Sequence, residues 1–354
     1  MTAPDFRDRA AGCIVGAFIG DALGLGPHWY YDLDELRRDF GPWIDGYTAP
    51  KADARYHAGM KAGELSQTGI IMLLLLRSIA ERGTYEEADF TRRLDEEFLP
   101  KLNGEAFAGP GGYTNHSFRQ VWHSRVREKK PWGEAGGNAD TSEAAERVSI
   151  IAARFASDPY AAARHACDNC MLTQTDSLVA QQSVGFASVL AALIRGEAFD
   201  GNLSDKLMEL VGSGELPFVA KSSIATSATA KRSFGFASPD AMLLPSWIAE
   251  SAGDPGIRIE PAWKVSLVYG MSCAINFVLP GAYYLAARFP DDFESAVLHA
   301  INGGGQNMSR ACLTGALVGA QVGLGGIPKR FVDGLADGKE VVALAKWVAA
   351  CRES

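Results

Sequence analysis

Glycine recurs at every fourth position in two widely separated stretches of this chain: Gly12, Gly16, Gly20 and Gly24, then Gly315, Gly319 and Gly323. On a helix, residues four apart lie nearly above one another, so each set makes a stripe free of side chains. Glycine costs about 1 kcal/mol relative to alanine at each helical position, which implies a packing reason for the stripes. A bare stripe lets another backbone come unusually close. The expectation is two helices packed tightly in one core, with both ends of the sequence in the same domain.

The rest of the chain also follows helical spacing. Apolar residues recur at that period over 8–25, 68–82, 87–99, 142–156, 159–171, 175–195, 204–212, 264–288, 291–301 and 309–323. The 68–82 segment is apolar nearly all round and predicts a central buried helix. Asp89 and Asp158, the latter followed by Pro159, stand where N-caps belong. Pro280 is expected to kink or split 264–288. Loops fall at 41–63, 103–113, 130–141, 197–203 and 252–262, and the Ser/Ala/Thr-rich piece 221–238 is ambiguous. Alternating strand patterns are nearly absent, so the expected fold is all-α, a single multi-helix domain over 1–354.

Composition narrows the function classes. The chain has 354 residues, 47% hydrophobic, with a formal net charge of -8. That balance argues against a nucleic-acid partner, which needs clustered Lys and Arg. The short basic cluster at 125–134 reads as a solvated helix end. Cys13, Cys273 and Cys312 sit in apolar runs and read as core residues. Cys167 and Cys170 form one C-x-x-C without the second pair of a zinc ribbon, and read first as helix-face residues one turn apart, with a redox pair as the alternative. The apolar stretch 11–20 follows Asp5, Arg7, Asp8 and Arg9 rather than a positive segment. No run is expected to reach the ~18 apolar residues of a membrane span. The expectation is a cytoplasmic protein with no membrane partner.

Reactive residues gather at loop-to-helix junctions. These are "GDALGLGPHWYYD" (20–32), "AGELSQTGIIM" (62–72), "GGYTNHSFRQVWH" (111–123) with "GGNADTSE" (136–143), and "NGGGQNMSR" (302–310). The first resembles the "GDALG" signature of the ADP-ribosylglycohydrolase superfamily, and the other junctions follow in the family's order, with "MLTQTD" at 171–176. "HWYYD" and the stretch 273–305 resemble the crystallin-J-like branch. The resemblance implies the family's all-α fold. It also implies a cleft in which two Mg²⁺ ions, held by T-D-D-T and D-x-D-T loops, assist cleavage of a bond to ribose. Here T-D-D-T falls on Ser66, Gln67, Thr68 and Gly69, and D-x-D-T on Gln306, Asn307, Met308 and Ser309. The family glutamate falls near His28 and the L-T-H-x-D histidine on Gln174. Hard cations need carboxylates, and Met308 is a soft thioether, so no metal ligands and no cofactor are expected.

The remaining polar groups are the candidates. Asp21 reads either as a carboxylate orienting a neighbouring loop or as a catalytic acid with a raised pKa. Glu64 is a general-base candidate or a solvated loop residue, and Asp140 is an acid–base candidate or, with Glu143, a helix cap. His28 and Trp29, followed by Tyr30 and Tyr31, either stack on a ligand ring or anchor the loop. Ser66, Gln67, Thr68, Asn115, His116, Asn302, Gln306, Asn307 and Ser309 are expected to hydrogen-bond a ligand. Gly304 and Gly305 are expected to offer N–H groups to an anion. His116 and His123 share a face if 114–126 is helical. Three functions fit these residues. One is a binding protein for a small polar or ADP-ribose-like ligand, with any glycosidic or amide C–N hydrolysis metal-independent. The others are an inactive crystallin-like pseudo-hydrolase and a conventional ADP-ribosyl hydrolase.

Overall fold

A computed structural model describes residues 3–54, 56–107, 109–218 and 235–351. Among them run sixteen α-helices and only isolated β-bridges. The first eight are α1 (Phe6–Leu25), α2 (Leu33–Phe40), α3 (Gln67–Arg82), α4 (Glu87–Arg93), α5 (His116–Trp122), α6 (Glu143–Phe155), α7 (Pro159–Met171) and α8 (Ser177–Ile194). The second eight are α9 (Leu203–Ser213), α10 (Asp240–Gly253), α11 (Val265–Tyr269), α12 (Ile275–Arg288), α13 (Phe293–Asn302), α14 (Asn307–Val322), α15 (Lys329–Gly334) and α16 (Gly338–Ala350).

The two glycine stripes face each other. A Cβ added at Gly16 would lie 2.1 Å from the Gly315 carbonyl oxygen, and one added at Gly315 would lie 2.1 Å from that of Gly16. Gly12 meets the Gly319 oxygen at 2.3 Å, Gly20 the Ala311 oxygen at 2.0 Å, and Gly24 the Met308 Cα at 2.3 Å. Numbers rise along α1 as they fall along α14, so the pair is antiparallel, and both helices are buried over most of their length. The α6, α8, α12, α13 and α16 helices pack around this axis. The pairing also fixes the site, because it holds the end of α1 against the start of α14.

Most expected helices form within a few residues of their predicted bounds. Asp158 caps α7 by accepting from the Ala161 N–H, with Pro159 as the first helical residue. Asp89, expected as a cap, is instead buried and ion-paired with Arg82, Arg92 and Arg93. The break in 264–288 does not fall at Pro280, which sits inside α12. It falls at Gly270, whose φ of 122° only glycine adopts readily, and residues 271–274 link α11 to α12. Helices α2, α10, α15 and α16 were not expected, and most of the ambiguous piece 221–238 lies outside the described residues. Contrary to expectation, α8 is long and apolar enough to cross a membrane by length and composition. In the structure 78% of that helix is buried inside the protein, packed against α6 and α7.

Candidate functional site

The junctions singled out by sequence meet at one cavity of about 80 Å³. Its walls come from the end of α1 (His28, Trp29), the start of α3 (Ser66, Gln67, Thr68) and the start of α5 (Asn115, His116). The start of α6 adds Thr141 and Glu143, and the start of α14 adds Gln306, Met308 and Ser309. His57, Tyr113 and Cys273 complete it. A second cavity of about 310 Å³ shares the His28, Trp29 and His57 wall and continues over Tyr56, Lys51, Asp53 and Asp39.

Local chemistry explains why these loops stand as they do. Ser66 caps α3, its Oγ accepting from the Thr68 and Gly69 N–H groups, while its own N–H and Oγ–H donate to the Asp21 carboxylate at 2.9 and 2.5 Å. A Cβ at Gly69 would lie 2.3 Å from Asp21 Oδ2, so glycine there lets the carboxylate sit under the loop. Asn115 caps α5 by accepting from the Phe118 N–H. The Gln67 side chain spans the gap, donating to Thr114 Oγ1 and accepting from the Asn115 N–H. Trp29 sits at φ 65°, a left-handed conformation rare for a bulky residue. Its N–H donates to the Gly305 carbonyl and its indole Nε1–H to Gln306 Oε1, while Tyr56 and Tyr113 meet the ring edge-on.

The glycine loop does not offer its amides to an anion as expected. The Gly305 N–H donates to the Tyr30 carbonyl, the Gly304 N–H to the Ile301 carbonyl, and the Gln306 N–H to the Met271 carbonyl. Gly304 and Gly305 lie outside the cavity lining, at φ 63° and 60°, where added Cβ atoms would run into Tyr30 and Met271. The loop is a packing device, held by the buried Arg310 guanidinium, which donates to the Ala300 and Gly304 carbonyls. Burial pulls the Arg310 pKa down to about 10.

Other candidates also stand elsewhere. Asn302 is outside the lining and bonds the Ile44 backbone in both directions. Asn307 lies behind the lining and meets His28 Nδ1 at 3.1 Å. Glu64 accepts from the Lys61 N–H away from the cavity, and Asp140 is exposed. Asp21 lies behind Ser66, in the arrangement of a loop-orienting carboxylate. His123 pairs with Glu128 on the surface instead of joining His116. Cys273, expected in the core, is half-buried at the cavity because the Gly270 break swings it there. Cys167 and Cys170 are buried free thiols, pushed by burial to about 12 and about 11.

The acidic chemistry sits where sequence reasoning missed it. Glu143 is the one carboxylate that lines the cavity among the described residues, and the Thr141 hydroxyl donates to it. Burial raises its pKa, opposed by that hydrogen bond. One turn deeper, Glu146 accepts from the Ser142 hydroxyl at 2.9 Å and is pushed up to about 8 by burial, then by Glu143. Asp21 is pushed up to about 6, again chiefly by burial. In all three, burial disfavours the charged form. His28 is held well below the usual histidine range by burial and then by His57, and burial also lowers His57. Among the described residues, no three His, Cys, Asp or Glu side chains converge as metal ligands would.

Comparison with known proteins covers nearly the whole chain. A sequence model of the family described as ADP-ribosylglycohydrolase matches residues 2–354. An uncharacterized protein of Archaeoglobus fulgidus is 26% identical over 341 residues, spanning 96% of this chain and 95% of that one. Crystallin J1A of Tripedalia cystophora is 22% identical over 373 residues, spanning 99% and 98%. A solved structure titled ADP-ribosylglycohydrolase-related protein complex superposes with a TM-score of 0.61 at 18% identity, covering 98% of each chain, and so shares the fold.

Proposed function

The chain belongs to the ADP-ribosylglycohydrolase family, and from that premise we propose that it binds a small polar, ribose- or nucleotide-like ligand in the cleft. Any hydrolysis of a glycosidic or amide C–N bond there runs without the family's pair of Mg²⁺ ions. The observation that carries the binding reading is a set of buried polar atoms without partners. His28 Nε2, His57 Nε2 and Asn115 Nδ2 all belong to lining residues. Each such atom costs about 1–3 kcal/mol, which a bound ligand would recover.

The metal-independent reading rests on the donor set. At the positions of the family's ligands, Ser66 is engaged with Asp21, Gln67 with Thr114, and Gln306 with Trp29 and Ser309. Met308 supplies a thioether. Neutral, already-bonded oxygens and a soft sulfur do not fit two hard dications. In this reading Glu143 takes the acid role in place of Glu64 and Asp140, because it stands at the cavity and burial raises its pKa.

Thermal-shift measurements with ADP-ribose, adenosine and small amides test the binding reading, and a rise in Tm with at least one is expected. If none shifts Tm, the cleft is a relic and the crystallin-like scaffold reading takes its place. Calorimetric titration with Mg²⁺ is expected to give no site tighter than about 1 mM. A tighter site would restore the conventional hydrolase.

A further inference from the structure

The tautomers of the two cavity histidines are fixed by what their other nitrogens meet. His57 Nδ1 lies 2.9 Å from the Gly111 carbonyl oxygen. A carbonyl only accepts, so Nδ1 carries the hydrogen and Nε2 is a bare lone pair. His28 Nδ1 lies 3.1 Å from Asn307 Oδ1, whose amide nitrogen is turned to the Ile301 carbonyl. His28 is therefore the same tautomer. The two rings sit 5.5 Å apart by centroid, and neither Nε2 has a partner.

Asn115 supplies the opposite polarity. Its Oδ1 accepts from the Phe118 N–H and the Ser117 hydroxyl, which fixes the amide and leaves Nδ2 as an unmatched donor. His28, His57 and Asn115 are only 8%, 5% and 8% exposed. Three residues lining one cavity thus carry two bare acceptors and one bare donor. The cavity's size also selects. One water needs only ~10–15 Å³ of such space, so about 80 Å³ admits a group of several heavy atoms.

We propose that this end of the cleft is a subsite for a primary carboxamide. Its two N–H groups donate to His28 Nε2 and His57 Nε2, and its carbonyl accepts from Asn115 Nδ2. The remainder of the ligand lies past Trp29 in the cavity of about 310 Å³. An ammonium group would leave the Asn115 donor unmatched, and a carboxylate would leave both imidazoles unmatched. A vicinal diol matches the count, but with two rotating hydroxyls and more bulk. The assignment rests on the reading that the cleft binds a ligand.

Calorimetry on the unaltered protein with benzamide, N,N-dimethylbenzamide, benzoate and cis-1,2-cyclohexanediol tests the subsite. Benzamide is expected to bind at least about tenfold more tightly than each of the others, the worth of one or two buried hydrogen bonds. The ¹⁵N resonances of both histidine Nε2 atoms are expected to move on its addition. Equal binding of the dimethyl amide, stronger binding of the diol, or unmoved Nε2 resonances overturns the proposal. If ADP-ribose raises Tm while benzamide fails to bind, the carboxamide subsite falls and the binding reading stands. If neither binds, both fall.

Discussion

At Glu146 the fold buries a carboxyl group that has no salt bridge among the described residues. Its pKa rises from 4.5 to about 8, chiefly by burial. A raised carboxyl favours the folded state fully below its unfolded pKa and loses that contribution as pH climbs toward the folded value. Stability should therefore fall between pH 5 and pH 8, and Glu146→Gln should remove much of the fall. The expected excess of the variant over wild type at pH 8 is on the order of 3 kcal/mol, shrinking toward zero near pH 4. Urea unfolding at both pH values measures it, and parallel curves would refute the buried-proton account. Neither Glu143 nor Glu146 was legible as buried. In "TSEAAERV" they stand at a helix start, where acidic residues ordinarily face water and the positive end of the dipole.

At the scale of elements, the α1–α14 contact admits no side chain at its crossings. Gly16→Ala gains about 1 kcal/mol in helix propensity. It also places a methyl 2.1 Å from a backbone oxygen that cannot rotate away. The helices must separate, and a net loss of at least about 2 kcal/mol is expected by urea denaturation. This contact was readable from spacing alone, since glycine at every fourth position has few uses within a helix. So was the gathering of four junctions, because each sits where a loop enters a helix. What spacing did not give was the break between α11 and α12. Pro280 is the stronger helix breaker on paper, yet α12 runs through it, forgoing the bond its N–H would make to the Asn276 carbonyl. The turn went to Gly270 instead, and with it Cys273 came to the cleft and Met271 to the glycine loop. His57 was also missed, because residues 41–63 carry no period that ties them to a neighbour.

Taken whole, the molecule draws its core from both ends of the sequence: α1 lies against α14 and α16, and α3 meets α16 through the Arg77–Glu340 ion pair at 2.7 Å. A chain ending before Asn307 would keep most of its helical sequence but lose the partner of α1. Such a truncation is expected to show helical circular dichroism without a cooperative urea transition. A sharp transition would place the folding nucleus elsewhere. Contacts that span some three hundred positions also slow folding, because a long loop closes before they form.

The glycine stripes have a further consequence during synthesis. Residues 10–25 of α1 leave the ribosome well before α14 and are buried in the finished protein. The face that covers them, at Ala311, Gly315 and Gly319, emerges some three hundred residues later. At ~5–20 residues per second that delay is roughly 15–60 s. Throughout it the segment is a bare apolar ribbon, well suited to capture by whatever holds nascent chains in the cell.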